Sequence, residues 1–180
     1  MPEVFKNFIN GEWVPSKTGA AFNDINPADK SEIVGVFPKS GAEDINMAVD
    51  AAASALDKWR KTPAPARAEI IYKAEKLLRK KKDDIAKIAT AEMGKILDET
   101  KGDVQEGIDT AFYMAGEGRR LFGDTTPSEL KNKFCMSIRM PVGVVGLICP
   151  WNFPVAIPSW KIFPALICGN SVVLKPASDA

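Results

Sequence analysis

Two short apolar runs, Val144-Val145-Gly146-Leu147-Ile148 and Val172-Val173-Leu174, flank a helical stretch from about Pro158 to Cys168, and this arrangement constrains the chain most. Bounded apolar runs of this length, rich in β-branched residues, read as buried strands. Strand, helix and strand in so short a span make a β-α-β unit, expected to be parallel and right-handed. Open parallel sheets bind ligands outside the carboxyl ends of their strands. At those ends the chain places polar residues. The first strand breaks into Pro150-Trp151-Asn152-Phe153-Pro154, a stiff turn holding one uncharged amide between two aromatics and two prolines. The second delivers Lys175 just past its end, in Lys175-Pro176-Ala177-Ser178.

Composition narrows the chemistry. A length of 180 residues fits one domain or most of one. Lys+Arg 24 against Asp+Glu 23 leaves no basic excess, which argues against a nucleic-acid partner or an anionic membrane surface. No stretch reaches the roughly 18 apolar residues of a membrane span. The start, Met1-Pro2-Glu3-Val4-Phe5-Lys6, lacks the apolar core of a signal peptide. Three irregularly spaced cysteines form neither a disulfide framework nor a zinc pattern, so no metal is expected and a reducing cytoplasm is the default. Histidine is absent, which removes Ser-His and Cys-His dyads. Catalysis in this segment has amides, lysines, carboxylates and backbone donors to work with.

Along the chain, Phe8 to Val14 reads as a hairpin turned at Asn10-Gly11. Ile33–Phe37 reads as a strand. Ser40, with Glu43 three residues on, predicts a capping box opening a helix whose core face is Ile45, Val49, Ala52 and Leu56. A second helix after Pro63 and Pro65 carries Ile70, Ile71, Ala74, Leu77 and Leu78. The basic run Arg79-Lys80-Lys81-Lys82 reads as a solvated helix end. The helical pattern continues from Ile85 to Met93 and stops at Gly94. A long helix from about Leu97 to Phe122 presents Val104, Ile108, Ala111 and Ala115 to the core. Thr125 to Ser128 reads as a loop, and Phe134 to Arg139 as a strand with one wet face.

Several of these segments, taken in order, resemble the aldehyde dehydrogenase superfamily. They are Asn10-Gly11-Glu12-Trp13-Val14, Ile25-Asn26-Pro27-Ala28, Glu92-Met93-Gly94-Lys95, Pro141 to Gly146, Pro150 to Pro154, Cys168-Gly169-Asn170 and the Lys175 strand. The resemblance implies an α/β fold: the N-terminal part of a Rossmann-like cofactor domain, with a long helical region and part of an oligomerisation arm. It divides the chain into residues 1–133, the arm strand 134–143, and the opening of the β-α-β core at 144–180. It implies oxidation of a small-molecule aldehyde to a carboxylate with NAD or NADP, in a homo-oligomer, dimer or tetramer. Family members are longer; their glycine-rich turn, general-base glutamate, nucleophilic cysteine and second domain come later. The chain by itself is therefore expected to be inactive. Two further readings stay open: a short binding or assembly module, and a relative that passes the acyl group to coenzyme A. The segment from Gly116 to Leu130 looks most like the succinate- and ketoglutarate-semialdehyde branch.

The resemblance also assigns roles. Asn152 is the oxyanion donor: an amide N–H donates without titrating, and losing one such donor costs about 3–4 kcal/mol of barrier. The alternative is an asparagine that satisfies its own turn. Ile148, Cys149 and Pro150 line the cofactor groove mainly through their backbone, joined by Trp151 and Ala177. Lys175 donates to the ribose hydroxyls or a phosphate. Ser178 stands where many NAD-preferring relatives carry glutamate, and a neutral hydroxyl leans the cofactor toward NADP. Trp151 and Phe153 are either walls of the substrate and nicotinamide pockets or aromatics that hold the turn. Glu106 on the long helix is a candidate for the substrate tail, as well as ordinary helix surface, and Arg119 and Arg120 lie further along. Cys149 is rejected as a nucleophile, because it precedes a proline at a buried strand end with no histidine and no cation nearby. Cys135 and Cys168 read as small buried hydrophobes.

Overall fold

The structure, a computed structural model, describes residues 2–178. Strand β1 (Asn7–Ile9) turns at Asn10 and Gly11, with φ of 53° and 83°, into β2 (Glu12–Val14). Positive φ at both central residues suits the right-handed twist of a two-residue hairpin. Strand β3 (Ala21–Ile25) pairs antiparallel with β4 (Ile33–Pro38). Asn23 and Asp24 make β3 a poor strand by propensity, so its pairing with β4 creates an element that periodicity did not announce.

Helix α1 (Ala42–Lys61) opens one residue later than expected. The capping carboxylate is Asp44, not Glu43: it accepts the Gly41 amide at 2.9 Å, the Lys17 amide at 2.8 Å and the Ser16 hydroxyl at 2.8 Å. The Gly41 and Lys17 amides hold its carboxyl below the usual range. Ser40 instead donates its hydroxyl to Asn7 Oδ1. The packed face of α1 runs through Asp44, Ala48, Ala52, Leu56 and Trp59. Ile45 and Val49 lie one position round the helix and stay exposed, a correction to their expected place in the core. Helices α2 (Ala64–Lys80) and α3 (Lys82–Met93) meet at Lys81. Ile71 is buried on α2, whereas Ile70 and Leu77 are exposed. Gly94 ends α3 at φ 71°, where a side chain would meet Pro27 Cγ at 2.8 Å.

The long helix α4 (Leu97–Glu117) is the axis of the molecule. Ala111 and Ala115 pack with Ala68, Ile71, Phe163 and Ile167 on one side. Val104 and Ile108 pack with Ala86, and with the partly buried Leu78, Ile85, Leu97 and Val155, on another. The helix stops five residues before Phe122; at Gly118, just past its end, an added Cβ would lie 2.6 Å from that of Ala68 on α2. Strand β5 (Thr125–Thr126), expected as loop, pairs with β6 (Cys135–Met136). Among the described residues the arm strand is thus shorter than 134–139: Cys135 and Met136 pair with β5, and the Ser137 amide donates to the Asp124 carbonyl at 2.8 Å.

Strand β7 (Val144–Ile148), helix α5 (Ala156–Ile167) and strand β8 (Ser171–Lys175) complete the β-α-β unit, with β7 and β8 parallel as expected. Asn170 ties its corners: Oδ1 accepts the Gly143 amide and Nδ2 donates to the Ala165 carbonyl, each at 3.0 Å. Buried Arg67 donates to the Ile167 carbonyl at 2.9 and 3.1 Å, a cation at the end of α5 where the helix dipole favours one. Cys168, one residue past α5, and Cys135 on the arm are exposed, which corrects the expectation that both are buried. No described helix is long and apolar enough to cross a membrane.

Candidate active site

The two parallel strands end side by side. Ile148 is in register with Lys175, and the Cys149 amide donates to the Lys175 carbonyl at 3.2 Å. The rim they form is open: Ile148 is 76% exposed, and Pro150, Lys175 and Ser178 are exposed. Lys175 Nζ donates to Ser178 Oγ at 3.0 Å, so the lysine and the serine three residues on form one polar pair. Ala177 is half-buried between them in sequence. Cys149, in contrast, is only 5% exposed, so the strand end is buried as expected. The expectation that no cation stands nearby is corrected: Lys161 on α5 donates to the Ile148 carbonyl at 2.6 Å.

Between β7 and α5 the chain makes the Asn152 turn. The Asn152 side chain is exposed, and its amide makes no hydrogen bond among the described residues. A turn-satisfying asparagine would bond to neighbouring backbone. Its backbone carbonyl is held instead, accepting Lys95 Nζ at 2.7 Å. The same ammonium lies 4.0 Å from the centroid of the Phe153 ring. Phe153 in turn leans on Trp160 at 6.2 Å, so it holds the turn, while Trp151 is 55% exposed beside it. The far end of the turn is fixed by Asp103 on α4, whose two carboxylate oxygens accept the Val155 amide at 3.1 Å and the Ala156 amide at 2.8 Å. This capture of the first α5 amides explains why the helix starts at Ala156, two residues ahead of the expected Pro158.

Lys95, Asp103 and Lys161 were not singled out from the sequence. A signal existed for Asp103: it stands on the α4 face of Thr100, Val104, Gly107 and Ile108, all buried, and a carboxylate there needs partners. Gly107 of that face meets Val155 and Ser159, where an added Cβ would lie 2.9 Å from Ser159 Oγ, so α4 and α5 approach closely under the turn. Glu106 is exposed on α4, and Arg119 and Arg120 are exposed just past the end of that helix. On the last turn of α3, Glu92 stands near Asp24 of β3, close enough for the two carboxyls to feel each other's charge. Burial, then the Asp24 charge, pushes Glu92 up to about 7, and burial also raises Asp24.

Residues 13–180 match the family described as the aldehyde dehydrogenase family. Alpha-ketoglutaric semialdehyde dehydrogenase of Bacillus subtilis (strain 168) is 49% identical over 176 residues, covering 98% of this chain and 36% of that protein. Succinate-semialdehyde dehydrogenase [NADP(+)] of Escherichia coli (strain K12) is 41% identical, covering 95% and 35%. A crystal structure described as an E. coli NADP dependent enzyme superposes with a TM-score of 0.93 at 40% identity, covering 97% of this chain and 37% of that one. The chain spans a little over a third of the length of these relatives, and within that span the strand ends, the Asn152 turn and the helices beneath it lie in a shared backbone. The chain belongs to the aldehyde dehydrogenase family.

Proposed function

We propose that the protein carrying this chain oxidises an aldehyde to a carboxylate, and that this segment contributes the oxyanion donor and part of the dinucleotide seat. The observation that carries the reading is the Asn152 amide. It is exposed, free of hydrogen bonds among the described residues, and mounted on a backbone pinned at its own carbonyl. A donor of that kind stabilises charge developing on a carbonyl oxygen without first breaking another bond.

The residues at the strand ends fit a dinucleotide. Lys175 and Ser178, bonded at 3.0 Å, offer an ammonium and a hydroxyl to ribose hydroxyls or to a 2′-phosphate. Serine rather than a carboxylate at 178 leaves room for that phosphate, so the seat favours NADP. The E. coli relative whose name carries NADP(+) supports the same direction. A nicotinamide held there would supply the hydride acceptor. Ile148 and Pro150 supply the exposed groove edge, and buried Cys149 keeps its backbone in the β8 ladder. The substrate class we assign is an aldehyde bearing a carboxylate, because relatives named for ketoglutaric, succinate and malonate semialdehydes all align over nearly the whole chain.

The test is Asn152→Ala in the full-length protein. Turnover is expected to fall by about 10²–10³-fold with cofactor affinity nearly unchanged, because the amide acts only where charge develops. Turnover within about threefold of wild type would remove the role.

A further inference from the structure

We propose that Lys95, in the corner between α3 and α4, and Asp103, on α4, are positioning residues for the Asn152 amide, holding the turn at Asn152 itself and at its far end. The inference rests on the reading of Asn152 as the oxyanion donor. A turn outside helix and sheet is placed only by its anchors, and Pro150 and Pro154 have no N–H to offer as one. Lys95 holds the carbonyl of Asn152 itself at 2.7 Å. Asp103, 1% exposed, holds the two amides after Pro154, at Val155 and Ala156. Bonds to an ionised partner are the stronger kind, and a carboxylate at the start of α5 also suits the helix dipole.

The anchors are themselves fixed. Gly94 at φ 71° ends α3 against Pro27, and Ile96, next to Lys95, is the cap residue that precedes α4, so the lysine stem leaves a short, defined corner. Its ammonium is held a second time by the Phe153 ring at 4.0 Å. Asp103 is fixed by the close approach of α4 to α5 at Gly107. With the Asn152 carbonyl held, its amide keeps little freedom beyond its own two torsions. Displacing a catalytic donor by about 1 Å costs on the order of 10²-fold in rate. A lysine and an aspartate that never touch the substrate can therefore set turnover.

The experiment uses the full-length protein with Lys95→Met, which keeps the stem and removes the donor, Lys95→Arg, which keeps both, and Asp103→Asn. Each is made in the wild type and in Asn152→Ala, and kcat and KM for aldehyde and cofactor are measured. Lys95→Met and Asp103→Asn are expected to lower kcat about ten- to a hundredfold with cofactor KM within about twofold. Lys95→Arg is expected to recover most of the loss. In the Asn152→Ala background neither variant should lower kcat further by more than about twofold, because the group they position is gone. Should Asp103→Asn fail to fold, Lys95→Met at its half-exposed site decides alone. Single variants with kcat within about threefold of wild type, or losses of equal size in both backgrounds, overturn the proposal. In those cases a large Asn152→Ala loss leaves the oxyanion reading standing, whereas a silent Asn152→Ala removes that reading and this one together.

Discussion

Lys175, at the end of β8, and Ser178, three residues on, are a bonded pair, and under the proposed function they would discriminate between the two cofactors. A carboxylate at 178 would repel a 2′-phosphate and accept bonds from a free 2′-hydroxyl. In the full-length protein Ser178→Glu is therefore expected to move the NADP/NAD ratio of kcat/KM toward NAD by about tenfold or more. Lys175→Ala is expected to weaken both cofactors, NADP more, since a charge-assisted bond to phosphate exceeds one to a hydroxyl. An unchanged ratio in Ser178→Glu would return the serine to a plain turn residue. The cysteines carry the complementary lesson. Cys149 was read as buried and is, whereas Cys135 and Cys168 were read as buried and are exposed. A strand end between paired strands buries its residue; the first residue past a helix and a two-stranded arm do not.

Among the elements, the contact of β3 with α3 titrates near neutrality. Burial of Glu92 on the last turn of α3, and then the charge of Asp24 on β3, push Glu92 up to about 7. The folded state thus binds this proton more tightly than the unfolded chain does. Its stabilisation is fully present below the ordinary carboxyl range and is lost as pH rises through about 7. Melting temperature is expected to fall from about pH 5 to about pH 8, a window above the ordinary carboxylate titrations. Glu92→Gln, which keeps a neutral hydrogen-bonding group, should flatten that slope. A wild-type melting temperature that rises across the window would contradict the assignment.

For the whole molecule, α4 gathers α2, α3 and α5 around small residues, and the β7–β8 unit is seated on that frame. The arm is different. Phe134, Met136, Ile138, Met140 and Val142, the last 89% exposed, set an apolar side chain at every second position along an almost unpaired stretch. Unpaired backbone with an apolar row invites pairing with another chain. Residues 1–180 are expected to self-associate in light scattering, and the double variant Phe134→Lys, Ile138→Lys is expected to shift them toward monomer. A wild-type monomer at high concentration would count against this.

Local chemistry was legible in the sequence: the Asn10-Gly11 hairpin, the stop at Gly94, the α4 core face and the β-α-β unit with its two polar ends. Each depends on turn dihedrals or on periodicity over a few residues, which neighbours in the chain dictate. The family followed from the same short motifs. Legibility failed where the partner is distant. Lys95 meets Asn152 across 57 residues and Asp103 meets Val155 across 52, and nothing local to either marks the other. The shift of the α1 cap to Asp44 was set by amides of Lys17 and Gly41. Sequence by itself determined which elements form and which residue types stand at the strand ends, because those are matters of short-range sterics and apolar spacing. Only the tertiary structure decided which side chains hold the Asn152 turn, because hydrogen-bond partners are chosen by where packed helices bring them.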